Sequence, residues 1–247
     1  MLKIGGVKLG EVPRVVLGVD GESPAVAQAA GEGVDILEVR VDLFEGPRTP
    51  GNVVDEVKVL KRHEMSLIGT IRGQGEGGKA KFSDAQRADL YQKISPLVDA
   101  MDVDLSATIL KPVVALARRN KNTVILSHHD FHGTPSESVL KQIVNKATAL
   151  GSDIIKVATL AQSESDVLRL LQFTMAHRHQ NIVTVSMGGI GSLSRLLFPL
   201  AGSLLTYTSV SPSDGQIDAK RLIEDLRFYY PRYNEELINR TGLLEFA

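Results

Sequence analysis

The strongest constraint on the fold is a repeat in which a short apolar run is followed by an amphipathic helical pattern, eight times over. The runs are 14–19, 36–41, 66–71, 100–105, 123–127, 153–158, 182–186 and 203–208. Near-continuous apolar runs are typical of parallel strands that are buried on both faces. Eight units in 247 residues average about 31 residues each, the size of a βαβ repeat. We therefore predict one (β/α)8 barrel domain over residues 1–247, with a doubly wound open sheet as the alternative.

Short local patterns add a hairpin and two helix starts. Residues 3–11 hold two glycines between short apolar runs, which predicts a hairpin that closes the barrel floor. Thr134, followed by a proline and then by Glu137, predicts a helix that Thr134 caps. Ser83 with Gln86 predicts a capping box at a second helix.

Composition excludes several classes of protein. The absence of cysteine excludes disulfides, thiolate metal sites and a cysteine nucleophile, and it fits a reducing compartment. A net charge of −1 gives no global field for nucleic acid or an anionic membrane. No apolar run approaches the ~18 residues of a membrane span, and the first residues lack the order of a secretory signal. We expect a soluble cytoplasmic globular protein.

Lys156 is the first candidate site residue, because a barrel places its site at the carboxyl ends of its strands. It lies among apolar residues in the sixth run. Burial opposes the charged ammonium and favours the neutral amine that condenses with a ketone or aldehyde. The alternatives are a buried lysine paired with a carboxylate and a lysine that reaches solvent.

Two neighbouring strands also end in charged residues. Glu38, Arg40 and Asp42 share one face of the second strand, either as part of a site or as a structural ion-pair cluster. Arg72 ends the third strand, and the glycine-rich loop after it would let Glu76 approach a neighbour.

Residues 127–132 end the fifth strand and contain three histidines. Adjacent strand residues point to opposite faces, so we do not expect His128 and His129 to share a metal ion. One histidine oriented by a carboxylate is the better interpretation, as a general acid or base. The alternative is a histidine with only a structural role at a strand end.

Two segments after the last strands predict an anion site. A glycine-rich stretch after the seventh strand enters a helix that carries Arg195, and Gly215-Gln216 follows the eighth strand. Helix N-termini and arginine bind carboxylate or phosphate. The alternative for Arg195 is an ordinary surface arginine.

Six segments, in chain order, resemble the motifs of the type I 3-dehydroquinate dehydratases. They are 38–42, 70–72 with 76–78, 127–131, 155–158, 186–188 with 194–196, and 215–216. The resemblance covers nearly the whole chain. It implies a (β/α)8 barrel, a homodimer, and a lyase of the shikimate pathway that converts 3-dehydroquinate to 3-dehydroshikimate. It implies no metal and no organic cofactor.

The resemblance also implies a role for each matching residue. Lys156 would form a Schiff base with the C3 ketone, and His129, oriented by Glu76, would remove a C2 proton and assist loss of the C1 hydroxyl. Arg195 and Gln216 would bind the substrate carboxylate. The full set implied to bind substrate is Glu38, Arg40, Arg72, Arg195, Gln216, Ser213 and Met187.

Two positions depart from the family pattern, and two other functions stay open. Gly18 stands where the family has a serine, which Ser211 or Ser213 could replace, and Asp214 adds an anion near the predicted carboxylate site. One alternative function is an aldolase-like Schiff-base enzyme that acts on another keto substrate. The other is a catalytically silent barrel that binds a carboxylated ligand.

Overall fold

The computed structural model describes residues 1–212 and 215–242, and its centre is a parallel barrel. The strands are an N-terminal pair β1 (Lys3–Ile4) and β2 (Val7–Lys8), then β3 (Val15–Val19), β4 (Ile36–Arg40), β5 (Ser66–Thr70), β6 (Ala100–Asp104), β7 (Thr123–Asp130), β8 (Ile154–Leu160), β9 (Ile182–Met187) and β10 (Thr206–Ser209). Parallel ladders run in the order β10-β3-β4-β5-β6-β7-β8-β9. The predicted (β/α)8 barrel is confirmed, and the sheet is nearly closed.

Helices follow the strands and form the outer layer. They are α1 (Pro24–Glu32), α2 (Pro50–Leu60), α3 (Asp84–Ile94), α4 (Leu110–Asn120), α5 (Glu137–Ala149), α6 (Glu164–His177), α7 (Ser194–Ala201), α8 (Ala219–Tyr229) and α9 (Pro231–Thr241). Among the described residues, no helix is both long and apolar enough to cross a membrane.

The strands bury both faces because alternate residues point outward to the helices and inward to the barrel axis. Outward residues such as Ile155 and Val157 join the large core beneath the helices. The inward residues at the amino ends form a separate aliphatic layer, which we call the floor layer. It consists of Val16, Ile36, Ile68, Ala100, Ile125, Ile154, Val183 and Leu205.

The predicted hairpin lies at the amino ends of the strands and pairs antiparallel, with Ile4 opposite Val7. Ile4 is fully buried, and it packs with Leu9 against the floor layer. The hairpin therefore covers the end of the barrel away from the carboxyl ends of the strands.

One of the two predicted helix starts is wrong. Ser83 and Gln86 form the expected capping box of α3. Helix α5, however, begins at Glu137 with Ser136 as its N-cap, not at Pro135. Thr134 instead bonds to the Thr159 hydroxyl and the Leu160 carbonyl of β8, because those groups offer its hydroxyl competing partners.

Candidate active site

A cavity of about 580 Å³ opens at the carboxyl ends of the barrel strands. The predicted site residues that line it are Lys156, His129, Glu76, Glu38, Arg40, Arg72, Arg195, Gln216 and Met187. They come from separate strands and loops, as the geometry of a barrel requires. The remaining predicted residue, Ser213, lies outside the described residues, as does Asp214.

Lys156 points into the barrel interior, and its amine has polar and aromatic neighbours. Its Nζ lies 3.1 Å from Oδ2 of Asp102, 3.5 Å from Oε1 of Glu38 and 4.0 Å from the centre of the Tyr207 ring. Lys156 is buried, and the alternative of a buried lysine paired with a carboxylate describes its surroundings. Strand alternation turns its apolar sequence neighbours toward the helices, so the amine itself faces two carboxylates and an aromatic ring.

Arg72, which lines the cavity, links three carboxylates. It lies 2.9 Å from Asp102, 2.6 Å from Asp104 and 3.7 Å from Glu38. Burial alone would raise the pKa of Asp102, but Arg72 and Lys156 lower that pKa far below its ordinary value. Asp102 is therefore an anion that faces the Lys156 amine.

His129 and Glu76 form a hydrogen-bonded pair. Oε2 of Glu76 lies 3.1 Å from Nδ1 of His129 and accepts the His129 backbone N–H at 3.2 Å. Burial, together with Arg72 and Lys156, lowers the pKa of His129 well below its ordinary value. Burial, with Asp104 adding to it, raises the pKa of Glu76 to about 7.

The pair can therefore supply a base. When Glu76 is ionised it can only accept, so Nδ1 of a neutral His129 donates to it. The same tautomer leaves Nε2 of His129 as a proton acceptor, which is the requirement for a general base.

The glycine-rich loop places Glu76 in this position. Glu76 ends a 3-10 turn, and Gly77 after it has a φ of 86°, a conformation that favours glycine. A Cβ on Gly77 would meet the Phe131 ring, and one on Gly78 would clash with the Arg72 carbonyl oxygen. The loop folds tightly back on its own strand.

Arg195 is a buried cation in the same cavity. Its guanidinium donates to the Ser186 carbonyl at 2.8 Å and to the Ser194 hydroxyl at 3.0 Å. Among the described residues no carboxylate pairs with it, and its Nε has no partner. Burial lowers the pKa of Arg195 to about 10, so it is charged at neutral pH. This arrangement fits an anion such as a carboxylate.

Arg40 differs from Arg195, because its guanidinium already forms a two-hydrogen-bond ion pair with a carboxylate. It donates to the buried Asp42 from Nε at 2.9 Å and from Nη2 at 2.8 Å. The ion-pair alternative for this cluster therefore describes Arg40 and Asp42, whereas Glu38 faces Lys156 and Arg72.

Ser209 lies beside Gly18. A Cβ on Gly18 would lie 3.9 Å from the Ser209 hydroxyl, which donates to the Gly18 carbonyl at 3.3 Å. Ser211 also lines the cavity, and its hydroxyl lies 3.4 Å from Asp20. Among the described residues, Ser209 at the end of β10 is thus the serine next to the space that Gly18 leaves.

Comparisons with known proteins identify the family of this chain. A sequence model described as type I 3-dehydroquinase matches residues 16–232. The chain belongs to the type I 3-dehydroquinase family. A 3-dehydroquinate dehydratase of Methanococcoides burtonii is 36% identical over 231 residues, which cover 92% of this chain and 97% of that protein.

Solved structures of the type I 3-dehydroquinase family have the same fold. The type I 3-dehydroquinate dehydratase of Clostridium difficile, with covalently modified comenic acid, has a TM-score of 0.85 and 31% identity, and the match covers 94% of this chain and 98% of that one. A deoxyribose phosphate aldolase of Aeropyrum pernix has a TM-score of 0.58 and 16% identity, covering 87% of this chain and 89% of that one, and shares the fold alone.

Sequence reasoning missed four residues that contact the predicted site residues. They are Asp102, Asp104, Ser106 and Tyr207. For the two aspartates the signal was present, because acids two positions apart in an apolar run share one face of a strand. Tyr207 lies in an apolar run that has no charged residues to indicate a site. Ser106 follows β6 and contacts Glu76 from a loop, a contact that only the folded chain defines.

Proposed function

We propose that this chain is a lyase that dehydrates 3-dehydroquinate to 3-dehydroshikimate through a Schiff base on Lys156. The observation that carries the proposal is the buried Arg195, a cation without a described carboxylate partner in the cavity that also holds Lys156 and His129. A substrate with both a carboxylate and a ketone matches these groups. Membership of the type I 3-dehydroquinase family supports the same reaction.

In the first step the Lys156 nitrogen bonds to C3, and two protons of its ammonium form leave with the carbonyl oxygen as water. The resulting iminium carries its positive charge where the ammonium stood, 3.1 Å from Asp102 and 3.5 Å from Glu38. Opposite charges in a buried site stabilise each other strongly. The same two carboxylates therefore stabilise the charged forms of the amine before and after condensation.

The second step is elimination. Nε2 of His129 takes the C2 proton, and the electron pair of the broken bond moves into the iminium to give an enamine. The enamine re-forms the iminium as the C1–oxygen bond breaks, and His129 returns its proton to the leaving hydroxyl as water. Glu76 balances the charge that His129 carries between the two transfers. Hydrolysis of the product iminium frees Lys156, so the net loss is one water.

The experiment combines an absorbance assay with trapping. We expect conversion of 3-dehydroquinate to give the ultraviolet absorbance of the conjugated product, and borohydride to fix an adduct that mass spectrometry locates on Lys156. An adduct without conjugated product would favour an aldolase-like reaction on another keto substrate. Binding of substrate without an adduct would favour the carboxylate-binding barrel.

We also propose that the chain acts in the cytoplasm as a homodimer of single-domain barrels. The lack of cysteine fits a reducing compartment, and Leu168 and Met175, one above the other on α6, are exposed apolar residues that could be covered by a second copy. Sedimentation at several protein concentrations tests the dimer, with Leu168→Glu expected to shift the protein toward the monomer. Cell fractionation tests the location.

A further inference from the structure

The carboxylate of Glu76 uses its two oxygens differently. Oε2 faces His129, whereas Oε1 accepts a hydrogen bond from Oγ of Ser106 at 2.6 Å. Ser106 lies two residues beyond the carboxyl end of β6 and is exposed. The three residues form a continuous hydrogen-bonded chain from the cavity to the surface.

We propose that Ser106 is a positioning residue for the dehydration, whose hydroxyl holds Glu76 as the ionised, correctly oriented partner of His129. The inference rests on the proposed function, since it assigns the support of the general base in that reaction. Ser106 does not touch the cavity and acts only through Glu76.

The charged surroundings of Glu76 explain why one hydroxyl matters. Asp102 and Asp104 on β6 oppose its ionisation and Arg72 favours it, while His129 on β7 lies against its other oxygen. Burial and these charges together place the pKa of Glu76 at about 7, and the Ser106 hydrogen bond acts to lower that pKa. Near its pKa, a small change in hydrogen bonding produces a large change in the ionised fraction.

Loss of the Ser106 hydroxyl should make Glu76 harder to ionise. A hydroxyl that donates to a carboxylate favours its ionised form, so removal of the Ser106 hydroxyl raises the pKa of Glu76. The ionised pair with His129 would then require a higher pH. Activity should fall on the acidic side and return at alkaline pH.

The chain offers a matched control close by. Thr108, two residues after Ser106 and also exposed, hydrogen-bonds to Asp84 at the start of α3 and does not contact Glu76. Thr108→Ala therefore removes a hydroxyl–carboxylate contact from the same loop without touching the pair.

The experiment measures kcat/KM against pH from 5.5 to 9.5 for the wild type, Ser106→Ala, Ser106→Thr and Thr108→Ala. For Ser106→Ala we expect about fivefold less kcat/KM than wild type at pH 6 and a value within about twofold at pH 9. Ser106→Thr, which keeps a hydroxyl, and Thr108→Ala should follow the wild-type profile.

Two results would overturn the assignment of Ser106. One is a Ser106→Ala profile that coincides with wild type, and the other is an equal loss at every pH, which a structural role predicts. A wild-type protein that does not convert 3-dehydroquinate at all would instead refute the proposed function, so the two failures are distinguishable.

Discussion

The floor of the barrel interior is filled by eight aliphatic residues, and the eight residues two positions further along the same strands include Glu38, Asp102 and Lys156. We call this second set the charged layer. It consists of Gly18, Glu38, Thr70, Asp102, Ser127, Lys156, Val185 and Tyr207. Both layers are buried apart from the half-buried Gly18, and their residues lie on or directly beside the same strands. They differ in what burial does for the protein.

In the floor layer, burial is favourable by itself. Each valine, leucine or isoleucine side chain removed from water contributes about 1.5–3 kcal/mol. In the charged layer, removing charges from water costs free energy, which the ion pairs of Arg72 and Lys156 with Asp102 offset. The difference shows that the amino ends of the strands stabilise the barrel, whereas β4, β6 and β8 hold buried charges one layer above.

Strand β8 allows the most direct test of the difference between the two layers, because it supplies Ile154 to the floor layer and Lys156 to the charged layer. We expect Lys156→Ala to abolish both the borohydride adduct and turnover. We expect Ile154→Ala to lower the free energy of unfolding by about 2–5 kcal/mol while adduct formation remains. Trapping and denaturant unfolding on both variants test this, and an adduct in Lys156→Ala would refute the assignment.

The next largest effect concerns His129. We expect His129→Ala to keep imine formation and to lose about 10²–10⁴-fold in kcat, the usual result of removing a general base. Mass spectrometry of the trapped adduct and the absorbance assay measure the two steps separately. Turnover near the wild-type value would contradict the assignment of His129 as the base.

The pH dependence gives a third test of the charged layer. Because the pKa of Glu76 is about 7 and its ionised form is needed, kcat/KM should fall about tenfold per pH unit below that pH. Glu76→Gln removes the titrating group, so its activity, although lower, should lose this acidic limb. An unchanged limb in Glu76→Gln would assign the titration to another group.

The smallest effect is expected at Tyr207, whose ring lies under the Lys156 amine. Loss of a buried cation–π contact of about 1–2 kcal/mol should slow imine formation roughly fivefold to thirtyfold in Tyr207→Leu. Tyr207→Phe keeps the ring and removes a hydroxyl without a described partner, so it should stay within about threefold of wild type. Equal loss in both variants would assign the effect to the hydroxyl instead.

The barrel could be predicted from the sequence because its signal is periodic and local. Apolar runs and their spacing fix the strands, and alternation fixes which residues share a face. The ends of strands are less certain, since β7 continues through His129 to Asp130, three residues beyond the predicted run.

The surroundings of Lys156 could not be predicted in the same way. Its partner Asp102 is 54 residues distant in the chain, and only the order and register of β6, β7 and β8 bring the two together. The apolar sequence neighbours of Lys156 indicated that it is buried, but they face the helices and gave no sign of the carboxylates beside its amine. Ser106 depends similarly on the fold of two loops around Glu76.

The N-terminal hairpin determines the route by which substrate enters and product leaves the cavity. Ile4 and Leu9 pack against the floor layer and close the amino end of the barrel. The cavity therefore opens only at the carboxyl ends of the strands, as far as the described residues show. The dehydrated product must back out along the route by which the substrate came in. Each turnover therefore ends only when the product has left through this entrance. A bulky compound bound there would block both substrate binding and product release.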